Sequence, residues 1–399
     1  MNQHLWSFAS RSGLAAAMVV LLGAAPAPPP PIATYWVSAS TDSGLGSGGS
    51  AGMAAMMAGR GSAVSRSLTL QLGSRQPGTT LEVGDHLPPA SLGMGPSLPL
   101  LGTTKAPPGE QLGGMPRDYQ RPNGRMLIYW GCGEHVGPGQ PLVIDFAKLA
   151  AGQVPPGWGA VVSSALPPRP AAGRGYGEWP NERSSRAVPL SASLVGAHSV
   201  RSSISPPIGF TLGAGQDFMP ALDLAERGTL PSGAARLGWR PAPTATGYAL
   251  SLMGAGEGGG GTEVIVWSSS RTGSANALTM MDYLSPARVH QLITSGQVLA
   301  PTVSECLLPA EVAKAAPQGF VRIIGFGPEA NFAEAPRAPK WVAKVRLKTS
   351  ASLIRGMDMS GMGNTNGMPG GEPGQPGQPA KRRRPSWKDM LKGAVRPPF

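Results

Sequence analysis

Between residues 236 and 270 the chain reads RLGWRPAPTATGYALSLMGAGEGGGGTEVIVWSSS, and apolar residues alternate in three short runs. Leu237 and Trp239 mark the first, Tyr248, Leu250 and Leu252 the second, and Val264 and Val266 the third. A period of two puts alternate side chains on the same face of an extended backbone, whereas a helix needs a period of 3.6. The stretch therefore predicts strands at 236–239, 247–252 and 262–268. A Pro-x-Pro turn separates the first two, and a Gly-rich hairpin loop separates the second pair.

Other short alternating runs follow the same rule. Strands are expected at 32–40, 67–73, 125–130, 141–146, 190–195, 200–204, 208–212, 320–327 and 341–349. The runs at 125–130 and 141–146 flank a Gly-Pro-Gly turn and predict a hairpin. Between them lie long breaker-rich stretches, with 57 glycines and 43 prolines among 399 residues and only 14% charged side chains. Strand-length apolar runs between long Pro/Gly segments point to an all-β chain with extended loops. Residues 86–114 read as a Pro/Gly/Leu-rich loop, and Trp158, Tyr176 and Trp179 as scattered aromatic anchors. Residues 32–228 are expected to form one β-rich, sandwich-like domain.

A strand ending in Trp239, a turn through Pro241 and Pro243, and a strand opening on Gly247-Tyr248 resemble the front half of a fibronectin type III or related Ig-like module. The resemblance covers residues 229–349 and implies a second β-sandwich, with 320–327 and 341–349 as its closing strands. A helical insert at 282–318 interrupts it. Ser285 is its expected N-cap, Pro286 its first helical residue and Gly296 its stop, and a second short helix starts at Pro309. The resemblance speaks to fold alone and implies no reaction.

The two ends of the chain carry address information. Residues 1–12 hold Arg11 and His4 but no acid, residues 13–25 are apolar, and the small residues Ala25 and Ala27 lead into a proline run. This is the pattern of a secretory signal peptide over 1–25, too short for the roughly 20 apolar residues of a membrane span. The mature chain is expected to be periplasmic or extracellular, without a transmembrane span. The formal net charge is +12, and twelve Lys and Arg against three acids place most of it after residue 339. Residues 350–380 read as a disordered Gly/Pro/Met linker. Residues 381–399 form a basic amphipathic tail in which Lys381, Arg382, Arg383, Arg384, Trp387, Lys388 and Lys392 suit an anionic lipid or polysaccharide surface. No aromatic interleaving or nucleic-acid motif accompanies them, so nucleic acid is not the expected partner.

Candidate chemistry is sparse. Cys132 and Cys306 are the only cysteines, and in an exported chain they predict one disulfide between the two halves. Cys132, Glu134 and His135 cluster in GCGEH, which with His198 suggests a thiol nucleophile or a metal site. Neither a base for the thiol nor paired metal-ligand spacing is evident. Asp145 and Asp217 sit beside aromatic residues, where a pair of carboxylates could hydrolyse a glycoside, although single aspartates at strand ends more often cap turns. Met357, Met359, Met362 and Met368 suit soft Cu(I), or belong to a low-complexity linker. The expected function is that of an exported, non-enzymatic cell-envelope protein, structural or interacting with an envelope protein partner, with no cofactor or metal. A hydrolase using Cys132 or Asp145/Asp217, and a Met-rich copper-binding protein, are the alternatives.

Overall fold

A computed structural model describes residues 29–44, 64–78, 81–102, 124–151, 153, 166–256, 262–273, 282–335 and 338–356. In chain order the strands are β1 (Ala33–Gly44), β2 (Val64–Ser74), β3 (Glu82–Leu87), β4 (Leu98–Leu101), β5 (Gly124–Trp130) and β6 (Leu142–Asp145). Then come β7 (Gly175–Trp179), β8 (Gly196–Ser202), β9 (Ile208–Leu212), β10 (Ala225–Thr229) and β11 (Ala235–Gly238). β12 (Gly247–Gly256), β13 (Thr262–Ser268), β14 (Glu305–Leu308), β15 (Gly319–Ala333) and β16 (Trp341–Arg355) complete the set. Among the described residues three short α-helices occur, α1 (Phe146–Ala150), α2 (Pro286–Thr294) and α3 (Ala310–Ala315). The chain is all-β.

Alternation dictates the strand faces. In β1, Tyr35, Val37 and Ala39 point into the core, while Trp36, Ser38 and Ser40 lie on the opposite face and are also buried. In β12, Tyr248, Leu250 and Leu252 face the core, and in β13 Ile265 and Trp267 do the same. The described strands form a long sheet in the order β6-β5-β13-β12-β15-β16-β1-β2-β7-β4-β3-β8-β9 and a small one in the order β10-β11-β14. The small sheet packs Ala235, Leu237, Cys306 and Leu308 into the same apolar cluster as Tyr248, Trp267 and Ile323 of the long sheet. Two sheets facing one another across shared apolar side chains make a sandwich. The far end of the long sheet curls back, because Phe210 on β9 stacks on Phe332 of β15 at 5.1 Å between ring centres.

The boundary expected at 228/229 falls inside β10, and strands from both sides of it share the long sheet. β1 runs parallel to β16, register Ala33↔Trp341, and β5 runs parallel to β13, register Thr262↔Gly124. Upstream strands thus occupy both edges of the β13-β12-β15-β16 ribbon. A period of two fixes which face of a strand is buried but leaves its neighbour open, so this interleaving has no local signature.

The expected hairpin at 125–146 is present as β5 and β6. The expected α2 is also found: the Ser285 hydroxyl accepts the Arg288 N–H, Pro286 occupies the first turn, and Gly296 ends the segment at φ 74°. Val289 and Leu292 of α2 pack on Ala249, Ile324 and Phe326, covering part of the long sheet's second face. Several expectations need correction. The insert at 282–318 is not wholly helical, because it contains β14, which pairs with β11. The stretch 86–114 holds β4, and β3 runs into it. Residues 190–195 are irregular, and β16 continues to Arg355 rather than giving way to a linker at 350.

Candidate functional site

Cys132 and Cys306 stand at bonding distance, with an S–S separation of 2.06 Å and Cα atoms 5.2 Å apart. Cys306 lies on β14 opposite Leu237 and is buried, whereas Cys132 is exposed in the loop after β5. The loop is laid along β14: Gly133 N–H donates to the Leu307 carbonyl (3.0 Å), and Ala310 N–H to that of Glu134 (2.9 Å). Trp267 Nε1 donates to the Gly131 carbonyl at 2.9 Å. The clasp therefore covers β14 and fixes the β5 end of the long sheet to the small sheet. With its sulfur in this bond, Cys132 offers no thiolate, which removes it as a nucleophile and as a metal ligand. His198 lies elsewhere in the fold, so the imagined Cys132–His198 pair is not assembled.

Beside the clasp opens a pocket of about 450 Å³ lined by His135, Ser232, Gly233, Glu311, Lys314 and Arg355, among others. His135 comes from the clasp loop, Glu311 and Lys314 from α3, and Arg355 from the end of β16. His135 Nδ1 and Glu311 Oε1 are 3.0 Å apart, and the other carboxylate oxygen accepts Val136 N–H at 3.1 Å. Glu311 is held below the usual carboxylate range by the backbone N–H at the helix start, with His135 and Val136 N–H adding to it.

A second constellation is wholly buried. Tyr35 Oη lies 2.9 Å from His86 Nδ1, His86 Nε2 lies 3.2 Å from His198 Nδ1, and His198 Nε2 lies 2.7 Å from the Leu194 carbonyl. A carbonyl only accepts, so His198 carries its proton on Nε2. Its Nδ1 accepts from His86, and His86 Nδ1 accepts from the tyrosine hydroxyl. With both imidazoles neutral, every contact of the wire has one donor and one acceptor. Burial, reinforced by neighbouring His198, pushes His86 down to about 3, and burial also lowers His198.

A stability profile follows. Below the ordinary histidine value of 6.5 the unfolded chain takes up a proton that folded His86 refuses until about 3. Stability is full above that window and falls as pH drops through it, by about 1.4 kcal/mol per pH unit for one such group. Urea midpoints measured between pH 7.5 and 4.5 should show this fall, and the His86→Gln, His198→Gln protein should show a flatter profile. Equal slopes for both proteins would assign the acid sensitivity to other groups.

The third constellation lies on the outer face of β1 and β16. Arg346 sits 4.8 Å from the Trp36 ring centre and 4.2 Å from that of Tyr283. Lys344 approaches Trp36 at 5.1 Å, and Lys348 approaches Tyr283 at 4.2 Å. Arg346 Nε donates to Ser38 Oγ (2.7 Å), Lys344 pairs with Glu329 (2.5 Å), and Lys348 pairs with Asp282 (3.2 Å). Burial lowers Arg346 and Lys348, with Asp282 working against it in both cases. Each cation has a ring and a polar partner, so the ladder anchors the lead into α2 rather than forming an open anion site.

Asp145 caps α1, accepting Ala147 N–H (2.8 Å) and Lys148 N–H (3.3 Å). Asp217 accepts the Ser193 hydroxyl (2.6 Å) and Leu194 N–H (2.7 Å). Asp145 is thus a helix N-cap, and Asp217 ties down the irregular 193–194 segment from across the chain. Lys381, Arg382, Arg383, Arg384, Trp387, Lys388 and Lys392 lie outside the described residues, as do Met357, Met359, Met362, Met368 and the signal segment at 1–25. No group of three or more His, Cys, Asp or Glu positioned for a metal occurs among the described residues, and no helix among them is long and apolar enough to cross a membrane. Comparison with known protein families, with curated proteins and with solved structures finds no match for this chain.

Proposed function

We propose that the chain is an exported, non-enzymatic cell-envelope protein acting as a structural or interaction module, with its basic tail contacting anionic lipid or polysaccharide. The observation that carries this reading is the Cys132–Cys306 pair at bonding distance. A disulfide joining distant parts of a chain persists in oxidising compartments and is rare in the cytosol. The interaction platform is a fibronectin type III-like sandwich. Its support is strand order: β10-β11-β14 faces β13-β12-β15-β16, which corresponds to strands A, B and E opposite C′, C, F and G. The upstream strands brace both edges of the larger face, leaving loops and tail for contact.

Two measurements test the reading. Full-length protein should pellet with vesicles containing an anionic phospholipid, less so at high salt, while a chain ending at residue 356 stays in the supernatant. Equal pelleting of the two removes the tail from the proposal. Protein recovered from its native compartment should show no titratable thiol, and two free thiols there would argue against export.

A further inference from the structure

The pocket beside the clasp holds donors with no carboxylate partner among the described residues. Glu311 uses one oxygen on His135 and the other on Val136 N–H. Arg355 gives Nη1 to the carbonyls of Ala313 and Ala316, 3.0 Å each, and sets Nε 3.1 Å from Glu226. Each carboxylate near the pocket thus has a neighbour, Glu311 in His135 and Glu226 in Arg355 at ion-pair distance. The lining residues still bring the Lys314 ammonium, the second amino group of Arg355 and the Ser232 hydroxyl proton, none with a carboxylate partner among the described residues. Gly233 turns at φ 90°, and a Cβ there would stand 3.6 Å from that of Ala310, so glycine keeps this wall low.

A cavity edged by an exposed ammonium, a guanidinium and a hydroxyl complements an acceptor-rich anion. We propose that this pocket binds a compact oxyanion, the phosphate or carboxylate group of a small molecule, held by Lys314 with Ser232 and Arg355. None of the lining residues named here belongs to the basic tail. Its two walls hang from the two cysteines: His135 lies three residues after Cys132, and α3 begins just after the strand that carries Cys306. The disulfide therefore fixes the width of the mouth.

The test is a backbone-amide NMR titration of the disulfide-intact, full-length protein with inorganic phosphate and, separately, with acetate. Saturable shifts are expected at Ser232, Gly233, Ala310 and Lys314. Lys314→Ala, at an exposed position, should weaken binding about tenfold, as loss of a charged hydrogen bond does. Lys388→Ala in the tail should leave those shifts unchanged. Glycerol 3-phosphate binding as well as phosphate would indicate a soluble ligand, and tighter binding of monomeric dihexanoyl phosphatidate a lipid headgroup. Shifts that do not saturate with either anion, or an unchanged affinity in Lys314→Ala, would overturn the proposal.

Discussion

Removing the disulfide by Cys132→Ser with Cys306→Ala is expected to lower stability by about 5 kcal/mol, the loop-closure value for cysteines 174 residues apart. Alanine is the better replacement at 306, because a serine hydroxyl there would be buried opposite Leu237. The clasp loop keeps its backbone hydrogen bonds to β14, and β5 keeps its ladder with β13. The folded state should therefore survive, and the loss should come from greater freedom of the unfolded chain. The thermal midpoint should fall by on the order of 10 °C, and reduction of the wild-type protein should reproduce the shift. A change below about 2 °C would mean that hydrogen bonds along β14, not the covalent link, hold the halves together.

Trp267→Ala is expected to cost about 3–5 kcal/mol, the range for deleting a fully buried tryptophan, with the Gly131 carbonyl then left unpaired as well. Trp239 gives an internal comparison. It is as deeply buried, packing on Tyr248 at 5.5 Å, yet its Nε1 has no hydrogen-bond partner among the described residues. Trp239→Phe should therefore be milder than Trp267→Phe, by about 1 kcal/mol or more, since only the latter breaks a buried hydrogen bond. Denaturant unfolding of the three variants ranks them. Equal costs for the two phenylalanine variants would show that packing alone governs both sites.

Local pattern carried the elements whose signal is local. β13 lies where its alternation predicts, and α2 is bounded by the Ser285 cap, Pro286 and Gly296 as read from the chain. Elements written with glycine or polar residues were hidden. β7 is GYGEW, with no run of apolar residues to reveal it. In β3, Gly84 is needed because a Cβ there would stand 2.2 Å from the Arg201 carbonyl oxygen, so close packing replaces the expected apolar side chain. The apolar 190–195 run fails as a strand because Asp217 takes up the Ser193 hydroxyl and the Leu194 N–H.

The sites divide in the same way. The Cys132–Cys306 pairing was legible because only two cysteines exist. The histidine wire was not: His86 and His198 are 112 residues apart, and only the β3–β8 ladder brings them together. The pocket was half legible, since His135 stood out in GCGEH while its partners Glu311, Lys314 and Arg355 come from elements that meet only in the folded chain.

The parallel pairing of β1 with β16 also sets a timetable. Ser38 and Arg346, joined across that ladder, are 308 residues apart. Among the described strands, the earliest to be synthesised thus waits for the latest before its second neighbour exists. Until residue 355 has emerged, the long sheet has a gap between β1 and β15, and the β1–β2 side cannot join the β12–β15 side. Contacts this distant in sequence form slowly. The long sheet therefore closes only once β16, the most C-terminal of the described strands, is available.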